Sequence, residues 1–122
     1  MDKVTKYRRI IRRLANEYAR YIPANGQIEP IPVCDRETDN YALLHAGWEQ
    51  GQRVHWVIFH LRLRDGQVWI EQDGIEHGID QELLDAGVPP EDIVYAFEQP
   101  LPAKRKAQSN GRPHAKHAAH LG

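Results

Sequence analysis

Three acids near the end of a predicted strand, Glu71, Asp73 and Glu76, are the side chains best placed to do chemistry. Paired carboxylates can act as acid and base or hold a divalent cation. The two-residue period of a strand puts Glu71 and Asp73 on the same face. Acids in a turn more often cap backbone amides or face a basic partner. We therefore take the three as candidate partner-binding residues, with a metal-dependent enzyme as the weaker alternative.

Four arginines close to the N-terminus form a second candidate set. They are Arg8, Arg9, Arg12 and Arg13. Such a set can bind nucleic-acid phosphates, since each contact releases counterions from the polyanion. The alternative is a solvated face that pairs with acids of the same molecule. Tyr7, Tyr18 and Tyr21 belong to the apolar stripe of the same segment, so we predict that they are buried and do not stack on bases.

The usual nucleophiles are scarce. Ser109, the only serine, lies in a C-terminal segment with little to bury, and all lysines lie in the two end segments. No phosphate-binding G-x-x-x-x-G-K-[ST] loop, G-x-G-x-x-G turn or G-x-S-x-G elbow occurs. Cys34, the single cysteine, is predicted to be a small buried hydrophobe. We predict no catalytic residue and no cofactor.

Histidines offer little for a metal. His55 and His60 are five residues apart in one predicted strand, so alternation places them on opposite faces. His45 and His60 can meet across strands, although packed or surface histidines are commoner than ligands. Histidines also recur at every third position near the C-terminus, where adventitious binding is the simpler expectation. They are His114, His117 and His120. We predict no specific metal site.

The net charge of −1 hides a strong partition. Residues 1–22 carry seven basic side chains against two acids, and residues 103–122 carry five with no acid. The segment between them, 23–102, carries four arginines against fifteen acids. Two basic ends therefore flank an acidic body, which suggests a polyanion or a charged protein as partner. No apolar run approaches the roughly 20 residues that span a bilayer, and no secretory signal is visible, so we expect a cytoplasmic protein.

Apolar periodicity predicts the elements that position these residues. A long amphipathic helix covers 3–22, with Asp2 as its N-cap and Pro23 after its end. An antiparallel meander follows, and its first strand is placed at an edge by two prolines. The predicted strands are 27–34, 40–48, 53–64 and 67–71, and short helices follow at 79–86 and 91–97. The fold class is α+β, with one domain over 1–99 and a basic, mobile tail over 100–122.

The pattern over residues 2–97 resembles the XisI-type fdxN element excision controlling factor family of cyanobacteria. The first residues that carry the resemblance are Asp2-Lys3, Tyr7-Arg8, Ile10-Ile11, Glu17-Tyr18, His45, Gly47-Trp48, Arg53-Val54 and His60. The remainder are Gly66, Val68-Trp69-Ile70, Asp73-Gly74-Ile75-Glu76, Gly78-Ile79, Leu83, Gly87-Val88-Pro89, Asp92-Ile93-Val94 and Phe97.

The resemblance implies a long N-terminal helix against an antiparallel sheet. It also implies a non-enzymatic accessory role in programmed DNA excision, beside an XisH-type companion protein and a site-specific recombinase. No catalytic residue carries over from it. Direct DNA binding by the arginine face and the tail is the alternative function. The oligomeric state stays open, a homo-oligomer included.

Overall fold

One helix and a five-stranded sheet make up most of the molecule. The computed structural model describes residues 2–24 and 27–102. Its helices and strands are α1 Lys3–Tyr18, β1 Gln27–Asp35, β2 Asn40–Glu49, β3 Gln52–Arg64, β4 Gln67–Asp73, α2 Ile79–Asp85 and β5 Ile93–Tyr95. The strand order is β1-β2-β3-β4-β5, antiparallel except for the parallel pair β4–β5. The predicted α+β architecture is confirmed. From residue 103 onward the predicted tail, with its three histidines, lies outside the described residues.

The helix α1 begins where the sequence predicts and ends earlier. The Asp2 carboxylate accepts a 2.8 Å hydrogen bond from the Thr5 amide, which confirms the predicted N-cap. The helix ends at Tyr18 rather than at residue 22, and Tyr21 and Ile22 are each 71% exposed. Pro23 disfavours helical geometry in the residue before it, so the last apolar positions of the stripe leave the helix. The prediction of a buried Tyr21 is therefore wrong.

The hydrophobic core lies on one face of the sheet. Its strand residues alternate with half-exposed ones and pack against both helices. They are Tyr41, Leu43, Phe59, Leu61, Leu63, Val68 and Ile70. From α1 come Tyr7, Ile10, Ile11, Leu14 and Ala15, and from α2 Ile79 and Leu83. Within residues 2–24 and 27–102, the buried residues of both helices all pack on this face, so neither helix covers the opposite face of the sheet, which we call the open face.

Two extra residues break the strict alternation along the central strands. Leu43 pairs with Phe59 while Leu44 pairs with Val57, so Ile58 is an extra residue in β3. In the same way Glu71 is extra in β4, and Asp73 comes to lie opposite Phe59. The prediction that Glu71 and Asp73 share a face is therefore wrong. A one-residue insertion reverses the orientation of every residue beyond it.

The segment after α2 differs from the prediction. Gly87 follows the helix with φ of +108°, as expected for its predicted C′ position. Residues 91–97, predicted as a helix, instead contain β5 between two 3-10 turns, Pro90–Asp92 and Ala96–Glu98. Ile93 to Tyr95 are β-branched or aromatic, and the edge of β4 offers them hydrogen-bond partners.

A buried carboxylate ties this C-terminal segment to the start of α1. The Tyr7 hydroxyl donates to Asp92 Oδ2 at 2.5 Å, and Lys3 Nζ lies 3.2 Å from the same oxygen. The hydrogen bond from Tyr7, with help from Lys3, holds the pKa of Asp92 below its usual value. Burial and the same contact raise the pKa of Tyr7 to about 12. Among the described residues, no helix has the length and apolar character needed to cross a membrane.

Candidate functional site

A groove lined by arginines runs between α1 and the strand β1. Its volume is about 410 Å³. The groove is lined by Thr5, Arg8, Arg9, Arg12, Arg13, Asn16, Cys34, Arg36 and Tyr41. Four of these arginines lie on α1, where the i, i+4 pairs Arg8–Arg12 and Arg9–Arg13 place side chains next to one another on neighbouring turns. Arg36 reaches the groove from the β1–β2 turn, so the structure brings together all four sequence-predicted arginines and adds a fifth.

Two of the five arginines are neutralised by carboxylates. Arg8 binds Asp39 in a bidentate pair, with Nε to Oδ1 at 2.8 Å and Nη2 to Oδ2 at 3.0 Å. The Tyr41 hydroxyl donates a third bond to Asp39 at 2.9 Å. Arg13 lies 3.6 Å from Glu17 on the next turn of the helix. Arg8 therefore holds the β1–β2 turn against the helix and is not free to bind a ligand.

The other three arginines remain available. Within residues 2–24 and 27–102, Arg9, Arg12 and Arg36 form no ion pair. All three are exposed, and none of the described residues that line the groove is an acid. The groove thus presents three uncompensated guanidinium groups, which suits a ligand with several negative charges.

The Arg8–Asp39 pair should stabilise the folded protein at neutral pH and not in acid. The hydrogen bond from Arg8 is the main cause of the lowered pKa of Asp39. The pair therefore stabilises the fold above the unfolded pKa of about 3.9 and loses this effect as the pH falls through the lower folded value. We expect Asp39→Asn, which keeps the residue's φ of +56° accessible, to lower the free energy of unfolding by about 1 kcal/mol at pH 7.

The measurement is urea denaturation across a pH series. The cost of Asp39→Asn should disappear at a pH at which Asp39 of the unsubstituted protein is protonated. Asp65→Asn is the matched control, since Asp65 also has a positive φ of +53° and forms no ion pair within the described ranges. An equal cost for both variants, or a cost that persists in acid, would contradict the assignment.

Cys34 lies at the edge of the groove and is exposed, so the prediction of a buried cysteine is wrong. Its strand β1 is an edge strand, and the helix covers only part of it. Nearby atoms still restrict solvent around the sulfur, which raises the pKa of the Cys34 thiol. The thiol is therefore protonated at neutral pH and is a weak nucleophile.

The structure separates the three acids that the sequence groups together. Glu71 binds Arg62 at 3.2 Å. Asp73 accepts hydrogen bonds from the amides of Ile75 and Ile79 at 3.0–3.1 Å, and so fixes the turn that leads into α2. Glu76 is exposed in that turn. Asp73 therefore caps backbone amides, one of the roles expected for acids in a turn, and partner binding by Glu71, Asp73 and Glu76 stays a prediction.

The strand histidines do not converge. His45 pairs with Trp56 and His60 with Ala42, so the two imidazoles do not meet across the strands. His60 Nε2 lies 2.8 Å from the side-chain oxygen of Asn40, and burial lowers the pKa of His45. The extra residue Ile58 also cancels the argument that His55 and His60 lie on opposite faces. Among the described residues, no group of three His, Cys, Asp or Glu side chains could hold a metal.

A hydrogen-bonded cluster at the other end of α1 has no counterpart in the sequence analysis. The Tyr18 hydroxyl donates to Glu82 Oε2 at 2.7 Å, and His77 Nε2 lies 2.7 Å from the same oxygen. These contacts hold the pKa of Glu82 below its usual value, with His77 as the main cause. Only a tertiary contact joins Tyr18 to residues near 80, so no local sequence signal could have found the cluster.

The open face of the sheet carries partly exposed apolar residues. Ile31, Leu44 and Val57 pair with one another across three strands and are half-buried. At one end of this face, Trp48 is 50% exposed and lies under the guanidinium of Arg53, 5.4 Å from the ring centroid. The face therefore joins a central apolar strip to an exposed aromatic–cation pair.

Comparison with known proteins places the chain in a family. The family model described as XisI protein matches residues 1–109. The chain belongs to the XisI family. A crystal structure described as the fdxN element excision controlling factor XisI from Anabaena variabilis ATCC 29413 is similar, with a TM-score of 0.66 and 32% identity. The match covers 81% of this chain and 96% of that one. Comparison with curated proteins gives no match.

A second solved structure supports the XisI fold. It is described as a XisI-like protein from the same organism, with a TM-score of 0.72 and 28% identity over 79% of this chain and 88% of that one. The family resemblance recognised in the sequence is thereby confirmed. Two of the residues that carry this resemblance have a structural role: the Asp73 carboxylate and Gly78, with φ of +96°, together shape the turn before α2.

Proposed function

We propose that this XisI-family protein is a non-enzymatic accessory factor in the excision of a DNA element. It acts through protein contacts with an XisH-type companion and, through that complex, on a site-specific recombinase. The proposal is supported by family membership and by the description of the 32% identical relative as an excision controlling factor. Because the chromosome of a bacterium lies in the cytoplasm, this role places the protein there.

The open face of the sheet is the observation that carries the proposal. A two-layer fold that leaves one sheet face uncovered keeps its apolar side chains there in contact with water. The strip of Ile31, Leu44 and Val57 is apolar, and the nearby exposed Trp48 and Arg53 are residue types that are enriched in protein interfaces. We assign this face to the XisH-type companion.

Co-purification with the companion tests the assignment. We expect the two proteins, when co-expressed, to form a complex that survives size-exclusion chromatography, and Leu44→Arg to abolish it because a charge would be buried at the interface. Leu84→Arg is the matched control, since Leu84 is a partly exposed leucine on α2, on the covered side. Absence of a complex at low salt, or equal loss with both variants, would count against the proposal.

A further inference from the structure

We propose that the arginine groove between α1 and β1 binds the phosphate backbone of a nucleic acid. The site consists of Arg9 and Arg12 on the helix and Arg36 on the opposite wall. This inference is independent of the companion complex, because it uses the helix side of the molecule and a different ligand.

The charge distribution concentrates nucleic-acid affinity in this groove. The described residues contain eleven lysines and arginines against seventeen acids, so the domain as a whole repels a polyanion. In the groove the balance is reversed. Asp39 and Glu17 neutralise Arg8 and Arg13, and the other three guanidinium groups form no ion pair with a carboxylate of the described ranges. Local positive potential in a concave site attracts phosphates even when the net charge is negative.

The chemistry of the walls favours a phosphate backbone over an acidic peptide. A peptide is usually held by backbone hydrogen bonds to a sheet edge and by apolar pockets for its side chains. Pro30 and Pro32 remove amide donors from β1, the edge strand beside the groove. Tyr41 is 2% exposed and its hydroxyl is bound to Asp39, so it offers no such pocket.

The spacing of the donors fits a repeating anion. The two helix arginines of the site, Arg9 and Arg12, are three positions apart and so lie about 4.5 Å apart along the helix axis, and Arg36 faces them from another element. Several point donors along one groove can contact successive phosphates of one strand. Tyr41, the one aromatic residue among the described residues that line the groove, is buried, so binding should be independent of base sequence.

Fluorescence anisotropy with a labelled short DNA duplex of arbitrary sequence tests the site in the full chain. We expect Arg9→Gln combined with Arg12→Gln to weaken binding by about tenfold or more. The slope of log affinity against log salt should become shallower by about 2, one for each lost phosphate contact. Arg36→Gln alone should reduce the slope by about 1, which shows that both walls take part.

The matched control is Lys6→Gln combined with Arg20→Gln. Both residues are exposed near α1 and lie outside the groove, and the change in net charge is the same. Equal weakening by the two double variants would overturn the proposal, because overall charge and not the groove would then drive binding. Failure of the unsubstituted protein to bind the duplex at low salt would also overturn it.

A polyglutamate peptide serves as the competing ligand. If it binds the groove more tightly than the duplex does, the occupant is an acidic protein segment and the nucleic-acid proposal is wrong. The two proposals fail separately. Leu44→Arg should abolish the companion complex and leave duplex binding unchanged, because Leu44 lies on the other face of the sheet from the groove.

Discussion

Gly47→Ala is expected to lower the free energy of unfolding by about 3 kcal/mol or more, a large effect for a substitution that adds one methyl group. Gly47 pairs with Ile28 across β1 and β2 and has φ of +153°. A Cβ at this position would lie 1.9 Å from the carbonyl oxygen of Gln27. The obstructing atom belongs to the backbone, so β1 itself would have to move away from β2.

Urea denaturation at neutral pH measures this cost. Gly51→Ala is the matched control, because Gly51 also has a positive φ, +76°, but a Cβ there would meet nothing within 4 Å. The control should lose only about 1 kcal/mol, the cost of left-handed backbone in an alanine. If the two variants are equally stable, the contact between Gly47 and β1 is not close in solution.

Phe59→Ala is the second substitution with a large expected effect. Phe59 is completely buried at the centre of β3, opposite Leu43, and its ring meets that of Tyr18 edge-on at a centroid distance of 6.1 Å. Removing a buried phenylalanine ring costs about 3–5 kcal/mol, from lost burial and the remaining cavity. For a domain of this size, the melting temperature should fall by about 15 °C or more.

Trp56→Ala on the same strand is the control for Phe59→Ala. Trp56 is a larger aromatic side chain but is 47% exposed, so its loss should cost only about 1 kcal/mol. Differential scanning calorimetry of both variants provides the comparison. Both side chains lie on the same face of β3, because their partners Leu43 and His45 are two residues apart in β2, so the comparison isolates burial. A larger fall in melting temperature for Trp56→Ala would mean that burial does not set the cost along this face.

The two proposed interfaces lie on opposite sides of the sheet. The groove is formed by α1, which packs on the covered face, while the apolar strip around Leu44 lies on the open face. A protein partner and a nucleic acid can therefore bind without competing for the same surface.

The stability variants at Gly47 and Phe59 differ from the interface variants in that they should change unfolding and both kinds of binding together.

The periodicity of apolar residues predicted most of the helices and strands but not the two bulges in the strands. The alternation in 40–48 and 53–64 corresponds to β2 and β3, whereas the extra residues Ile58 and Glu71 leave no mark in the pattern of residue types. For the same reason the pairing of Glu71 with Arg62 and the capping by Asp73 were not predictable. A bulge depends on how two strands match in length and twist, which is a property of the pair.

Only part of the candidate groove could be predicted from the sequence. The four arginines of the helix were identified from their spacing, but the sequence could not show that Asp39 neutralises Arg8 or that Arg36 completes the groove. Both facts depend on the β1–β2 turn folding back against α1. The strand β5 was missed in the same way, since Ile93 to Tyr95 form a strand only because the edge of β4 is next to them.

The sequence by itself determined the α+β class, the N-capped amphipathic helix, the order of the four meander strands and the family. These depend on local period, capping and turn residues, which act between neighbours along the chain. For the part of the chain that the structure describes, tertiary structure alone decided which arginines form no ion pair, which acid caps α2, that Cys34 is exposed and that neither helix covers the second face of the sheet. These features depend on ion pairs, hydrogen bonds and packing between residues that are far apart in sequence. Such residues come into contact only when the chain has folded.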